Sequence, residues 1–206
     1  MEKKSLLLSK SKFMDGLQCL KLLWYEYNRK DEIPLVDAAQ QAIFEVGHKV
    51  GELAHQIFPS GIFLDRETGI EQHLQASLEA LKLRKPLFEA GFSYKNTYAL
   101  VDILVPADKN EWDLIEVKSS TSVKEEYLYD VAFQKYVYEG ANIQIRNCFL
   151  MYINNKYVRK GEIEIDKLFV KENITEKIEN FKKDIEKNVK SMMQIIFNKM
   201  PDVKIG

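Results

Sequence analysis

Three short apolar runs in the middle of the chain constrain the fold most. Residues 87–95, 98–106 and 111–118 follow one another, with only short polar or turn-forming breaks between them. Runs of this length between such breaks predict β-strands, and the short connections predict that consecutive strands are antiparallel neighbours. A sheet is therefore expected near the centre of the chain.

Helices are predicted on both sides of these strands. Ser9 or Ser11 is expected to cap the first helix. The third helix is expected to contain Leu74, Leu78, Leu81 and Leu83. The five predicted helices cover residues 9–30, 36–58, about 68–84, 124–141 and 172–199.

Two further apolar runs follow the fourth helix. Residues 145–153 and 156–159 flank Asn154-Asn155, and this spacing predicts a tight hairpin. The order of elements predicts an α/β or α+β fold, with a mixed sheet flanked by helices and an N-terminal helical region. The 206 residues fit a single domain, divided into parts 1–85, 86–160 and 172–199.

Composition excludes several classes of protein. No run of 18 apolar residues is present, so a membrane span is not expected. Two distant cysteines, Cys19 and Cys148, do not make a disulfide framework, and their number favours a cytoplasmic location. The formal net charge of −1 gives no indication of a nucleic-acid partner, which would have to bind a local patch.

Charged residues interrupt the apolar strands. Asp102 lies within Leu100–Val105, and Glu116 and Lys118 face the same side of the next predicted strand. A carboxylate among apolar neighbours needs a cation, a proton or hydrogen-bond donors. A divalent ion such as Mg²⁺ or Mn²⁺, shared by Asp102 and Glu116, would meet this need, with Lys118 acting on a bound water. A purely structural ion pair between Asp102 and Lys118, with Glu116 at an exposed end, is the alternative.

Four motifs occur in a defined order along the chain. Gly51 and His55 form a G-x-x-x-H element on a helix, Asp102 lies in a central strand, Glu116-Val117-Lys118 forms an E-x-K strand, and Gln134 with Tyr138 forms a Q-x-x-x-Y element. Together they resemble the PD-(D/E)xK nuclease superfamily, most closely its Cas4-like and RecB-like branch, over about residues 9–160. The resemblance implies a restriction-endonuclease-like core with a mixed sheet of about four to five strands.

The resemblance also implies roles for these residues. His55, Asp102, Glu116 and the backbone carbonyl of Val117 would bind Mg²⁺ or Mn²⁺. Lys118 would be the catalytic base or would position the attacking water. Gln134 and Tyr138 would contact the substrate phosphate or brace the catalytic strands.

Two assignments stay open at this point. His48 lies seven residues before His55, on nearly the same helix face, and competes with it as a ligand; Gly51 favours His55. Glu89, on the first predicted strand, is either an accessory metal ligand or the partner of a lysine.

Many members of the branch hold an iron–sulfur cluster with four cysteines. This chain has two, so no iron–sulfur cluster is expected, and Cys19 is interpreted as a packed core thiol.

The sequence therefore predicts a divalent-metal-dependent nuclease that hydrolyses DNA, with single-stranded ends as one possible substrate, in DNA repair, recombination or defence against mobile DNA. A nuclease-fold module that binds nucleic acid or a protein without useful catalysis is the alternative. A small-molecule hydrolase that uses the same carboxylates is a more remote one. The amphipathic helix 172–199 is expected to pack on its own core or on a partner chain. Exonuclease against endonuclease, polarity, and DNA against RNA stay open.

Overall fold

A computed structural model of the chain describes residues 6–67 and 69–202. In this part of the chain, seven strands form one mixed sheet in the order β2-β3-β4-β5-β6-β7, and β1 pairs with β4. The strands are β1 (Leu8–Ser9), β2 (Ile62–Phe63), β3 (Leu87–Tyr94), β4 (Thr97–Pro106), β5 (Glu111–Lys118), β6 (Gln144–Ile153) and β7 (Phe169–Asn173). The helices are α1 (Lys10–Gln18), α2 (Leu20–Asn28), α3 (Ala38–His55), α4 (Ile70–Leu81), α5 (Glu125–Gly140), α6 (Ile165–Leu168), α7 (Thr175–Glu179) and α8 (Lys182–Phe197).

The predicted centre of the sheet is confirmed. The strands β3, β4 and β5 form an antiparallel meander, and α5 then crosses over so that β6 lies parallel to β5. The expected class, a mixed sheet flanked by helices with an N-terminal helical region, is correct. The sheet is larger than expected, because β1 and β2 add two-residue strands and β7 adds a further one.

The predicted hairpin at Asn154-Asn155 is wrong. Residues 156–159 form no strand, and β6 pairs instead with β7, antiparallel, from Ile153↔Phe169 to Phe149↔Asn173. The backbone amide of Asn154 donates to the carbonyl of Leu168, so the chain turns at Asn154 but returns to the sheet only 15 residues later.

Two predicted helices are each divided. The first breaks at Cys19, whose backbone is extended (φ −158°, ψ 114°). This turn lets both Phe13 of α1 and Leu23 of α2 be fully buried. Ser9 caps α1 by accepting a hydrogen bond from the amide of Lys12, as one of the two alternatives predicted. The last predicted helix, 172–199, begins within the end of β7 and is divided into α7 and α8 by a break at Asn180-Phe181.

The helix α4 is confirmed, and the side that it turns to the sheet carries small and polar residues. His73, Ser77 and Ala80 are buried, whereas Leu78 is 46% exposed. Ser77 Oγ accepts the amide hydrogen of Gly91 on β3 at 2.9 Å, so small and polar side chains bring the helix close to the strand. This polar contact decides the orientation, which hydrophobic spacing alone cannot predict.

The two faces of the sheet carry different cores. The larger core includes residues of α1, α5 and α8, and we call this side the α5 face. The smaller core lies on the opposite side, under the end of α3, and contains Ala54, Phe88, Ile103, Ile115 and Met151. We call this side the α3 face.

The apolar side of α8 packs within the chain. Ile185, Val189, Met192 and Ile196 are each at most 9% exposed, so of the two expected alternatives the structure shows this side of the helix packed on its own core. No helix in the described ranges has the length and hydrophobicity needed to cross a membrane. Both cysteines are free thiols; Cys148 is buried, but Cys19, expected in the core, is only half-buried.

Candidate functional site

The strands β4 and β5 separate along part of their length and form a fork. They pair only from Ile103↔Ile115 to Pro106↔Trp112. On the far side of Ile103, the edge of β4 that faces β5 pairs instead with β1, through Leu8↔Thr97 and Ser9↔Tyr98. The N-terminal segment therefore enters the fork, and Lys10 follows it directly as the first residue of α1.

Three carboxylates lie at one level across the sheet, at the base of this fork. The pairs on either side, Phe88↔Ile103 and Ala90↔Val101, place Glu89 opposite Asp102. The pair Ile103↔Ile115 likewise places Glu116 opposite Asp102. At this level β3 and β4 are paired neighbours, about 4.8 Å apart, whereas β4 and β5 begin to separate just beyond Ile103↔Ile115.

The backbone at this level is unusual. Glu89 has a φ of 58°, in the left-handed region that non-glycine residues adopt rarely and at an energetic cost. Phe88 belongs to the core of the α3 face, whereas Ala90 belongs to the core of the α5 face. The strand thus exchanges its two faces at Glu89, next to Asp102.

Glu116 is the most highly connected group of the site. Glu116 is only 2% exposed. Ile115 and Val117 lie on the opposite face of the sheet, as predicted. The ammonium of Lys10 donates to both carboxylate oxygens, at 3.0 and 3.1 Å. Lys118 donates to Oε1 at 2.7 Å, and Gln134 Nε2 donates to Oε2 at 2.7 Å. The alternative that Glu116 lies at an exposed strand end is therefore wrong.

Asp130 on α5 is a second buried carboxylate in contact with the same donors. Lys118 binds its Oδ2 at 2.6 Å, Gln134 binds its Oδ1 at 2.9 Å, and Lys10 lies 3.7 Å from it. We call Lys10, Glu116, Lys118, Asp130 and Gln134 the buried ion network. Lys118 thus pairs with Glu116 and Asp130, and not with Asp102 as the structural alternative proposed.

The network shifts the pKa values of its members in opposite directions. Burial, with the charges of Asp102 and Asp130, raises the pKa of Glu116 to about 7. Burial opposes ionisation of Asp130 as well, but Lys10 and Lys118 outweigh it and hold the pKa of that carboxyl well below its usual value. Burial works against the charge of Lys118, yet Glu116 and Asp130 raise its pKa. Lys118 is therefore an ammonium donor in this arrangement.

Asp102 closes the base of the fork with its side chain. Its Oδ2 accepts a hydrogen bond from the backbone amide of Val117 at 2.7 Å. Burial raises the pKa of Asp102, although Lys10 and Lys118 oppose the rise. The amide and the carbonyl of one strand residue leave at the same edge, so the carbonyl of Val117 also faces the fork.

His55 approaches the same level from the α3 face. It is the last residue of α3, and its ring stacks on Phe88 with centroids 4.0 Å apart. Its Nε2 is buried and has no hydrogen-bond partner among the described residues. Burial lowers the pKa of His55, and the nearby backbone of Asp102 opposes this. His48 is exposed, so the geometry favours His55 over it as a ligand.

The remaining residues of the predicted motifs are Gln134 and Tyr138 on α5 and Gly51 on α3. Tyr138 is fully buried, and its hydroxyl donates to the carbonyl of Ala90 on β3 at 2.5 Å. Gln134 is fully buried, and its Oε1 has no partner in the described part of the chain. A Cβ on Gly51 would meet no described atom within 4 Å, so packing within the chain does not require glycine there.

The donors of the site suit a hard divalent cation. Carboxylate oxygens of Asp102, Glu116 and Glu89 are ligand types that both Mg²⁺ and Mn²⁺ prefer, and the unpartnered Nε2 of His55 suits Mn²⁺, a transition metal, better than Mg²⁺. Within residues 6–67 and 69–202, however, no three His, Cys, Asp or Glu side chains already converge as a metal-binding group. Binding would therefore require a carboxylate to change its contacts.

Sequence reasoning missed two members of the network. Asp130 precedes Gln134 and Tyr138 by four and eight residues, so helical spacing places it on the same helix face and could have identified it. Lys10 carries no such signal, because its contact with Glu116 spans 106 residues of chain.

Comparison with known proteins shows a likeness in structure only. No protein-family model matches the chain, and no curated protein matches it. Among solved structures, a presumed exonuclease from Eubacterium rectale has a TM-score of 0.55, with 9% identity over 93% of this chain and 82% of that chain. The two proteins share a fold.

Two further solved structures are less similar. The alkaline exonuclease LHK-Exo from Laribacter hongkongensis has a TM-score of 0.48 at 13% identity and covers 92% of this chain and 89% of its own. The protein SSO0001 has a TM-score of 0.47 at 12% identity, and the match covers 97% of this chain and 81% of that chain.

Proposed function

We propose that this protein is a divalent-metal-dependent nuclease that hydrolyses phosphodiester bonds in DNA. One observation carries the proposal: Glu89, Asp102 and Glu116 lie at one level of three adjacent strands, with Lys118 beside Glu116. Hard oxygen ligands beside an ammonium suit the hydrolysis of a phosphodiester. The fold shared with a presumed exonuclease supports the same activity.

The residues that would hold the ion are His55, Asp102, Glu116 and the carbonyl of Val117, with Glu89 as an accessory ligand. The buried, unpartnered Nε2 of His55 supports its place in this set. When bound, Mg²⁺ or Mn²⁺ would polarise the phosphate and lower the pKa of a coordinated water.

The other residues have positioning roles in this proposal. Lys118 orients the attacking water through its ammonium, Gln134 orients Glu116, and Tyr138 holds β3 through Ala90. We further propose that residues 1–206 act as one nuclease-like domain of the Cas4-like and RecB-like branch. Single-stranded DNA ends are its proposed substrate.

A cleavage assay tests the proposal directly. Labelled single-stranded, duplex and branched DNA are incubated with Mn²⁺ and either the wild type, Glu116→Gln or Lys118→Met. Cleavage is expected from the wild type only, and the loss should lie in turnover more than in DNA binding. Glu125→Gln, on the exposed first turn of α5, is the matched control and should cleave like the wild type. Equal cleavage by the wild type and Glu116→Gln would show that the activity arises elsewhere.

One observation favours the alternative of a nuclease-fold module without catalysis. Every carboxylate oxygen of Glu116 already accepts two hydrogen bonds, which leaves no free position for an ion. Retention on single-stranded DNA with no cleavage under Mg²⁺ or Mn²⁺ would support this alternative against the nuclease.

A further inference from the structure

The hydrogen bonds of Glu116 limit how an ion can reach it. A carboxylate has about four acceptor positions, two on each oxygen. Lys10 fills one position on each oxygen, Lys118 fills the second on Oε1, and Gln134 fills the second on Oε2. A cation that binds Glu116 must therefore displace one of these three donors.

Lys10 is the donor that the geometry marks for displacement. Lys118 and Gln134 each hold Asp130 as well, at 2.6 and 2.9 Å, so they are fixed from two sides. Lys10 makes the two longest contacts with Glu116, and its distance to Asp130 is 3.7 Å. Its ammonium also lies astride the two oxygens, which is where a cation bound by both of them would lie.

The location of Lys10 in the fold also favours movement. It lies at the start of α1, after a strand of only two residues, whereas Glu116 and Lys118 belong to an interior strand of the sheet. The side chains of Lys10 and Lys118 are about equally exposed, at 22% and 21%, so the location in the fold and not the exposure distinguishes them. A lysine has a flexible four-carbon stem that can withdraw without a change in the backbone.

We propose that Lys10 is an internal competitor of the divalent ion, which occupies the carboxylate of Glu116 and is displaced when Mg²⁺ or Mn²⁺ binds. The inference rests on the proposed metal site. Lys10 then has two opposite effects: it stabilises the buried carboxylates of Glu116 and Asp130, and it weakens metal binding.

This pair of effects separates the proposal from other roles. A lysine that only supports the fold would not change metal affinity in the protein that remains folded. A lysine that orients Glu116 for the metal would, when removed, weaken metal binding. Only a competitor makes the protein less stable and the metal site tighter at the same time.

Calorimetric titration with Mn²⁺ alone measures the affinity. Lys10→Met is expected to lower the Kd for Mn²⁺ about tenfold, as is typical when the coupling between two contacting charges is removed. Lys10→Arg keeps a cation on Glu116 and should bind like the wild type. Lys12 lies on the same helix, and its ammonium is 4.0 Å from Glu26. Lys12→Met therefore controls for the general loss of a positive charge.

Thermal unfolding provides a second measurement, which can be made even if the variant is less stable than the wild type. In chelator, Lys10→Met should melt below the wild type; Mn²⁺ should then raise its Tm by more than it raises that of the wild type, because a tighter ligand stabilises more. If the Tm of Lys10→Met rises by no more than that of the wild type, or if its Kd for Mn²⁺ is equal or higher, Lys10 is not a competitor of the ion. If neither the wild type nor Lys10→Met binds Mn²⁺, the proposed metal site itself is wrong.

Discussion

The carboxylate of Asp102 accepts the backbone amide hydrogen of Val117 at 2.7 Å. From Ile103↔Ile115 to Pro106↔Trp112 the backbone groups of β4 and β5 pair with each other, but beyond this stretch the strands separate, and the side chain of Asp102 replaces the missing backbone acceptor. Asp102 therefore has a structural role at the base of the fork in addition to its proposed role as a ligand.

These two roles of Asp102 can be separated by substitution. Asp102→Asn keeps an oxygen that accepts from Val117, so the free energy of unfolding should change little while Mn²⁺ binding is lost. Asp102→Ala leaves the amide without its partner and should cost about 1–3 kcal/mol as well. Urea unfolding and Mn²⁺ calorimetry on both variants check this. Equal stability of the two variants would contradict the structural role.

The hydroxyl of Tyr138 is expected to stabilise the folded protein. Tyr138→Phe leaves the carbonyl of Ala90 without its hydroxyl donor inside the core, and should lower the free energy of unfolding by about 1–3 kcal/mol. Tyr136→Phe, on the same helix at a partly buried position, is the matched control and should stay within about 0.5 kcal/mol of the wild type. Similar losses in both variants would mean that the hydrogen bond is not the cause.

Replacement by alanine should change the stability of the protein in opposite directions at Gly91 and at Gly47. A Cβ on Gly91 would lie 2.6 Å from His73 Nδ1 and 2.8 Å from the hydroxyl of Tyr98, in the contact between β3 and α4. Gly91→Ala should therefore destabilise the protein by about 1–3 kcal/mol through overpacking. Gly47 lies in the exposed part of α3 with no described atom within 4 Å of a Cβ, and Gly47→Ala should stabilise by about 0.5–1 kcal/mol. Denaturant unfolding of the two variants measures both signs.

The raised pKa of Glu116 predicts a pH dependence of stability. Its value of about 7 in the folded protein lies above the ordinary 4.5, so the folded state binds more protons than the unfolded chain between these values. The stabilisation is complete below about pH 4.5 and is lost as pH rises through 7, by at most about 3 kcal/mol. His55, whose pKa is lowered, acts in the opposite sense, so a difference between two proteins is the proper measure.

Unfolding in chelator at pH 5 and pH 8 tests this prediction. The stability of Glu116→Gln relative to the wild type should rise from pH 5 to pH 8, because glutamine has no proton to lose. Glu125→Gln, at an exposed position, should keep a constant difference from the wild type. A constant difference for Glu116→Gln too would rule out the expected titration.

Local patterns predicted the middle of the chain well. The bounds of β3, β4, β5 and α5 agree closely with those expected, because alternation and strand length are set by neighbouring residues. The shared face of Glu116 and Lys118 follows from the same alternation. The break at Cys19 was missed, because no local signal shows that Phe13 and Leu23 both have to reach the core.

The candidate site residues could be proposed from the amino-acid sequence alone: a carboxylate in one apolar strand, an E-x-K triplet in the next, and a glutamine and a tyrosine one helical turn apart. The contacts of these residues follow from the folded chain and not from any local pattern. The tertiary structure brought Lys10 and Asp130 to Glu116, turned His73 and Ser77 of α4 towards β3, and paired β6 with β7 instead of with its neighbour in sequence. The physical reason is that a buried charge must find its partners in three dimensions, and those partners are set by where strands diverge and helices cross, which hydrophobic periodicity does not encode.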